Sequence, residues 1–148
     1  MSRIFTILAT LFVTLFIISC GSDDSSSDTG LSTSTKTGVI THSGGFDFSA
    51  DTNATWEHQD VYNMGSVIIL ADNNVEKIYS LGELSLDSIT SADDSKWTED
   101  TSLTVEINSV YVLKARDGYV KFKVISIDTS TFTGDMTVEY VYSTTTTF

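Results

Sequence analysis

The chain has 148 residues, with eight basic and twenty acidic side chains, a formal charge of −12, one cysteine and no proline. That balance excludes a nucleic-acid-binding surface and a basic patch gripping anionic lipid, since both need clustered cations. A single cysteine, Cys20, excludes an intrachain disulfide and a cysteine-based zinc site.

Residues 1–20 speak to the compartment. Arg3 leads into an apolar run from Ile4 to Ile18, interrupted by Thr6, Thr10 and Thr14. A run of that length with one flanking charge is expected to be a signal peptide rather than a spanning anchor. It closes on Ile17-Ile18-Ser19-Cys20, which resembles the lipobox of bacterial lipoproteins. The resemblance implies that residues 1–19 are cleaved and that Cys20 is the lipidated residue; the alternative is an uncleaved anchor with a free cysteine. Several acyl chains on one cysteine hold a protein to a bilayer, each buried CH₂ contributing about 0.8 kcal/mol. Cleavage removes Arg3 and no acidic residue, so the remainder is one unit more acidic than the whole.

Residues 20–37 read as the lipidated cysteine and a flexible polar tether. Gly21–Thr37 has almost no apolar side chain to offset the entropy of ordering, and such a tether reaches roughly 20–25 Å. Its Ser22-Asp23-Asp24 resembles the acidic export signals of surface lipoproteins; the outer-membrane anchor is compatible with a surface-facing or a periplasm-facing body.

Residues 38–148 are expected to form one β domain. Its apolar runs are short and separated by turn residues. GVITH (38–42) and GFDFSA (45–50) come first, with Phe46 and Phe48 on one face. NATWEHQDVY (53–62) alternates, placing Trp56, His58, Asp60 and Tyr62 together. SVIILA (66–71) is continuously apolar, the pattern of a strand covered on both faces, and Asp72-Asn73-Asn74 is a turn. VEKIYSL (75–81) is a strand or a helical turn, ELSLDSITSADD (83–94) carries the one short helix, and LTVEI (103–107) is a strand.

The last third is the most regular. SVYVLKA, Arg116-Asp117-Gly118, YVKFKVISI, a Ser/Thr-rich loop and DMTVEYVYS predict a three-stranded meander with one buried face. A two-residue Asp117-Gly118 turn pairs Tyr111, Leu113 and Ala115 with Val124, Phe122 and Val120, and puts Lys114, Lys121 and Lys123 on the other side with Val112. Glu139 of the third strand falls beside those lysines. The fold class is mainly β and antiparallel: a sandwich or an open sheet ending in this meander, with at most one short helix.

GFDFSA, VYVLKARDGYVKFKVISI and VEYVYS together resemble the HmuY-like lipoproteins, over roughly residues 45–50 and 109–142. The resemblance implies an all-β fold and, from the family's characterised members, capture of haem by axial His or Met side chains. Both histidines, His42 and His58, lie outside the matching segments. Read from the residues, Trp56, His58, Tyr62 and Met64 form the best candidate ligand-binding cluster: an imidazole, a thioether and aromatic faces for a macrocycle. The plain alternative packs Trp56 and Tyr62 in the core with His58 at its edge, and leaves His42 solvated. The carboxylates Asp93-Asp94 with Glu99-Asp100, and Asp72-Asn73-Asn74, lack calcium-loop spacing and read as solvated turns. No catalytic frame or metal site is legible, so the chain is expected to be a non-enzymatic ligand-binding lipoprotein of HmuY-like type. The alternative function is a surface or periplasmic adhesion or interaction module for a protein or glycan partner, with no small-molecule ligand.

Overall fold

Alternation of apolar and polar side chains every second residue forces a strand to bury one face, and two such sheets bury each other. A computed structural model describes residues 34–72, 76–128 and 134–148. The expected signal peptide, Cys20 and most of the expected tether lie outside the described residues, as do Asn73, Asn74 and the middle of the Ser/Thr-rich loop. Ten strands form two antiparallel five-stranded sheets. The first runs in the order β1 (Lys36–Ile40), β10 (Met136–Ser143), β9 (Tyr119–Ile127), β8 (Ser109–Lys114), β6 (Lys77–Glu83). The second runs β3 (Thr52–Ala54), β2 (Gly45–Asp47), β4 (Val61–Asn63), β5 (Val67–Leu70), β7 (Ser102–Thr104). The fold is the mainly β, antiparallel architecture expected; its helical content among the described residues is two 3-10 turns, Leu86–Ser88 and Asp94–Lys96.

Aromatic rings fill the space between the sheets. Phe48, just past β2, sits 5.1 Å from Phe46, 5.0 Å from Tyr140 and 5.8 Å from Phe122, and Tyr111 stacks on Phe122 at 5.2 Å. Such pairs add about 0.5–1.5 kcal/mol each beyond the area they bury. Ile40, Val61, Ile68, Ile78, Leu113, Val120, Val124, Met136 and Val138 close the core around them. β5 departs from expectation: Ile68 and Leu70 point into the core while Val67 and Ile69 are half-buried, so SVIILA is covered on one face rather than two. β1 begins two residues before the expected start of the domain.

The meander forms with the expected faces and a different turn. Tyr111 lies opposite Phe122 and Leu113 opposite Val120. Ala115 N–H donates to the Gly118 carbonyl at 2.9 Å, so the turn is Arg116-Asp117 rather than Asp117-Gly118. Pairing is thus shifted by two residues from the expected register, and because side chains alternate with period two, a shift of two leaves every face unchanged. Gly118 does not take a positive φ. It is required for close approach, since a Cβ there would lie 2.5 Å from the Ser143 carbonyl and 2.7 Å from the Tyr142 hydroxyl. Across the next pair, Glu139 does lie opposite Lys123.

The other face of the meander is not simply wet. Leu86, Leu81, Ile89 and Phe148 pack over Val110 and Val141. Lys121 is buried beneath them, donating to the Ile89 carbonyl at 2.8 Å, with the Phe148 ring 5.5 Å away. Burial pushes its ammonium pKa down, with Asp87 opposing the shift. The segment after β6 is what covers this face, and it is pinned back to β6, the edge of the first sheet, by Asp93 N–H donating to the Tyr79 hydroxyl at 2.9 Å and the Thr98 hydroxyl donating to the Ile78 carbonyl at 2.8 Å.

Gly118→Ala should destabilise the protein by about 1–3 kcal/mol, because β10 backbone must give way. Asp117→Ala, at an exposed position, should stay within about 0.5 kcal/mol of the parent. Urea unfolding midpoints of the two variants check both.

Candidate functional site

The stretch 53–62 is not the single strand its alternation suggests. β3 and β4 both run antiparallel to β2 and flank it. They are therefore parallel to each other, and residues 55–60 must cross the outer face of β2. Gly45 makes the crossing possible: a Cβ there would meet Gln59 Oε1 at 1.9 Å. Thr55 closes the turn by accepting from His58 and Gln59 N–H at 2.9 and 3.0 Å, and the Arg116 guanidinium holds it through the Glu57 carbonyl.

This geometry separates the expected cluster. Trp56 is 63% exposed and His58 is exposed beside it on the turn. Tyr62 is half-buried on the outward side of β4, and Met64, 49% exposed, lies past the other end of that strand. The core reading of Trp56 is corrected as well: in the 55–60 crossover Gln59 and Asp60 are the buried residues, and Trp56 stands in solvent. His42 is half-buried rather than solvated. Its backbone N–H donates to Asp135 Oδ1 at 2.8 Å, and its Nδ1 is buried without a hydrogen-bond partner, 3.1 Å from where a Cβ on Gly134 would be. The acidic turns are engaged locally. Asp93 accepts from Ser95 N–H and Oγ at 3.0 and 2.6 Å, which holds its carboxyl below the usual range, and Glu99 pairs with Lys77 at 2.7 Å.

Strand directions give the sandwich two unlike ends. One end carries the start of β1, the 48–51 turn, the β8–β9 turn, and Ala71, Asp72 and Glu76 between β5 and β6. Here Tyr140 donates its hydroxyl to Asp51, which also pairs with Lys36 at 3.5 Å. Burial first, and Asp51 second, raise the Tyr140 pKa. The opposite end carries His42–Gly44, Met64–Ser66, Leu84 and Val105–Asn108. Among the described residues six large hydrophobics are exposed, and five of them, Val39, Met64, Leu84, Ile107 and Ile125, lie toward this second end; Trp56 is the sixth.

Beside them, on the outer face of the first sheet, opens a groove of about 730 Å³. Glu83, Asp87 and Glu139 line it with Lys123, Leu84, Leu86 and Asn108. Its electrostatics are those of an acidic trough with an apolar wall. These residues come from β6, the first 3-10 turn, β9 and β10, so no local motif announces them; only the Glu139–Lys123 juxtaposition was legible from alternation. No family model matches the chain, and no curated protein matches it.

Trp56→Ala and His58→Ala should each stay within about 0.5 kcal/mol of the parent, as exposed turn residues do. Gly45→Ala should cost more than 1 kcal/mol by colliding with Gln59. Thermal unfolding of the three variants separates these outcomes.

Proposed function

We propose that this is a lipid-anchored, non-catalytic lipoprotein of the cell envelope whose β-sandwich engages a partner with the end facing away from its anchor. One observation carries the reading: exposed apolar side chains gather at the end of the sandwich opposite the start of β1, where the chain arrives from the N-terminal tract. A body tethered at one end presents the other to its surroundings. Contiguous exposed apolar surface rimmed by charge marks an interaction site in a soluble domain. The rim carries Glu83, Asp87, Glu106, Asp128, Asp135 and Glu139 against Lys123. The partner that fits is a protein surface pairing apolar side chains with lysine or arginine.

The HmuY-like resemblance belongs to the same proposal, with haem as the more specific ligand. Trp56 and His58 on one exposed turn are the residues that support it.

A photo-crosslinking residue at Ile107 or Ile125 of the full chain in intact cells should give a discrete adduct, weakened by high salt. The same residue at Asp117 should give none. Equal labelling from both ends, or from neither, counts against the proposed face. Hemin added to the full chain in mild detergent tests the more specific ligand: a saturable Soret shift lost in His58→Ala would establish haem in place of the protein partner. Cys20→Ser should move the protein from the membrane fraction to the soluble fraction and abolish fatty-acid labelling.

A further inference from the structure

Two carboxylates stand in the dry end of the sandwich nearest the start of β1, and neither takes part in the proposed binding face. Asp60 is 2% exposed and Glu76 is 0% exposed. Asp60 Oδ2 accepts from Phe48 N–H at 2.9 Å, and its Oδ1 from Arg116 N–H at 3.4 Å. It therefore links the second sheet to the β8–β9 turn of the first. Its backbone is committed too: Asp60 N–H donates to the Phe46 carbonyl at 2.8 Å, and its own carbonyl accepts from Ala71 N–H at 3.4 Å. Glu76 Oε2 accepts from Asp72 N–H at 2.8 Å, while its Oε1 is buried without a hydrogen-bond partner.

We infer that Asp60 and Glu76 form a proton-linked clasp at this end of the sandwich: Asp60 joins Phe48 to the Arg116 turn, Glu76 is buried with one oxygen unpartnered, and charging both of these dry carboxylates loosens the end. Burial disfavours the charged form of each group, and a charge on Asp60 further disfavours one on Glu76. Burial pushes Asp60 up to about 6, with the neighbouring carboxylates Asp47 and Asp117 adding to the rise and the Phe48 and Arg116 amides opposing it. It pushes Glu76 up to about 7, with the Asp60 charge adding to the rise; the Asp72 and Ala71 amides and the Arg116 guanidinium oppose it. The Arg116 guanidinium, the cation that opposes the rise at Glu76, is committed to the Glu57 carbonyl, and Lys77, next to Glu76 in the chain, is paired with Glu99.

The sign follows from linkage. Acids whose folded pKa lies above the unfolded value bind protons more tightly when folded, so the contribution of this pair is complete below about pH 4 and is lost as pH rises through about 6 and 7. This is the reverse of a salt-bridged carboxylate, which loses its contribution on acidification.

Urea unfolding of the full chain in mild detergent should show the unfolding constant rising about tenfold or more between pH 5 and pH 8. Glu76→Gln should remove most of that rise above pH 6. Amide hydrogen exchange at Phe48 and Arg116, corrected for intrinsic base catalysis, should quicken over the same interval in the parent and not in Glu76→Gln. Carboxyl-carbon NMR of the unmutated chain keeps the test open if a variant fails to fold, with Asp60 and Glu76 expected to titrate near 6 and 7. Titration of both below pH 5, or a pH dependence of unfolding that Glu76→Gln leaves unchanged, overturns the clasp.

Discussion

The structure turns on Phe48. Its ring lies among Phe46, Tyr140 and Phe122, which belong to both sheets, and its backbone N–H is held by a buried carboxylate that also reaches the β8–β9 turn. A small domain has little core to spend, and an aromatic knot at the centre of a sandwich concentrates dispersion and apolar burial where both sheets must meet. The price of that placement is a charged group in a dry end. Asp60 satisfies the Phe48 amide after β2 and the Arg116 amide of the β8–β9 turn, and an unpaired buried amide costs about as much as a lost hydrogen bond.

The remaining features arrange themselves around this knot as two contrasting ends. At the end beside Phe48, turns from both sheets are tied to each other by Tyr140–Asp51, Lys36–Asp51, Arg116–Glu57 and the Asp60 carboxylate. Toward the far end, apolar side chains stand in solvent, and on the outer face of the first sheet an acidic groove runs from Leu84 and Asn108 across β9 and β10 to Thr35, just before β1. A braced end and an end with exposed apolar side chains suit the proposed arrangement, in which the N-terminal side is tethered and the opposite one engages a partner.

Much of the architecture was legible because it depends on parity. Tyr111, Leu113, Ala115, Val120, Phe122 and Val124 were assigned to one face from alternation alone, and they are in the core. The assignment survived a wrong turn because the true pairing differs by two residues, a whole period of the pleat. The candidate ligand cluster failed for the complementary reason. Trp56, His58 and Tyr62 have the spacing of one strand face, but β2 sits between β3 and β4, and the chain between them must climb over it. Alternation measures a local period and carries no information about which strand will be the neighbour.

Length, charge and the two-residue period, then, determined by themselves that this is an acidic, mainly antiparallel β protein with a meander at its end, since each follows from residue chemistry counted along the chain. Which residues meet was decided only by tertiary structure. Gly118 and Gly45 are needed for what passes over them, not for their own φ. Asp60 and Glu76 come within electrostatic reach because the residues just before β4 and β6 are buried at the same end. Contacts of that kind arise from strand order and crossing, which are properties of the whole sandwich and leave no mark in any short window of the sequence.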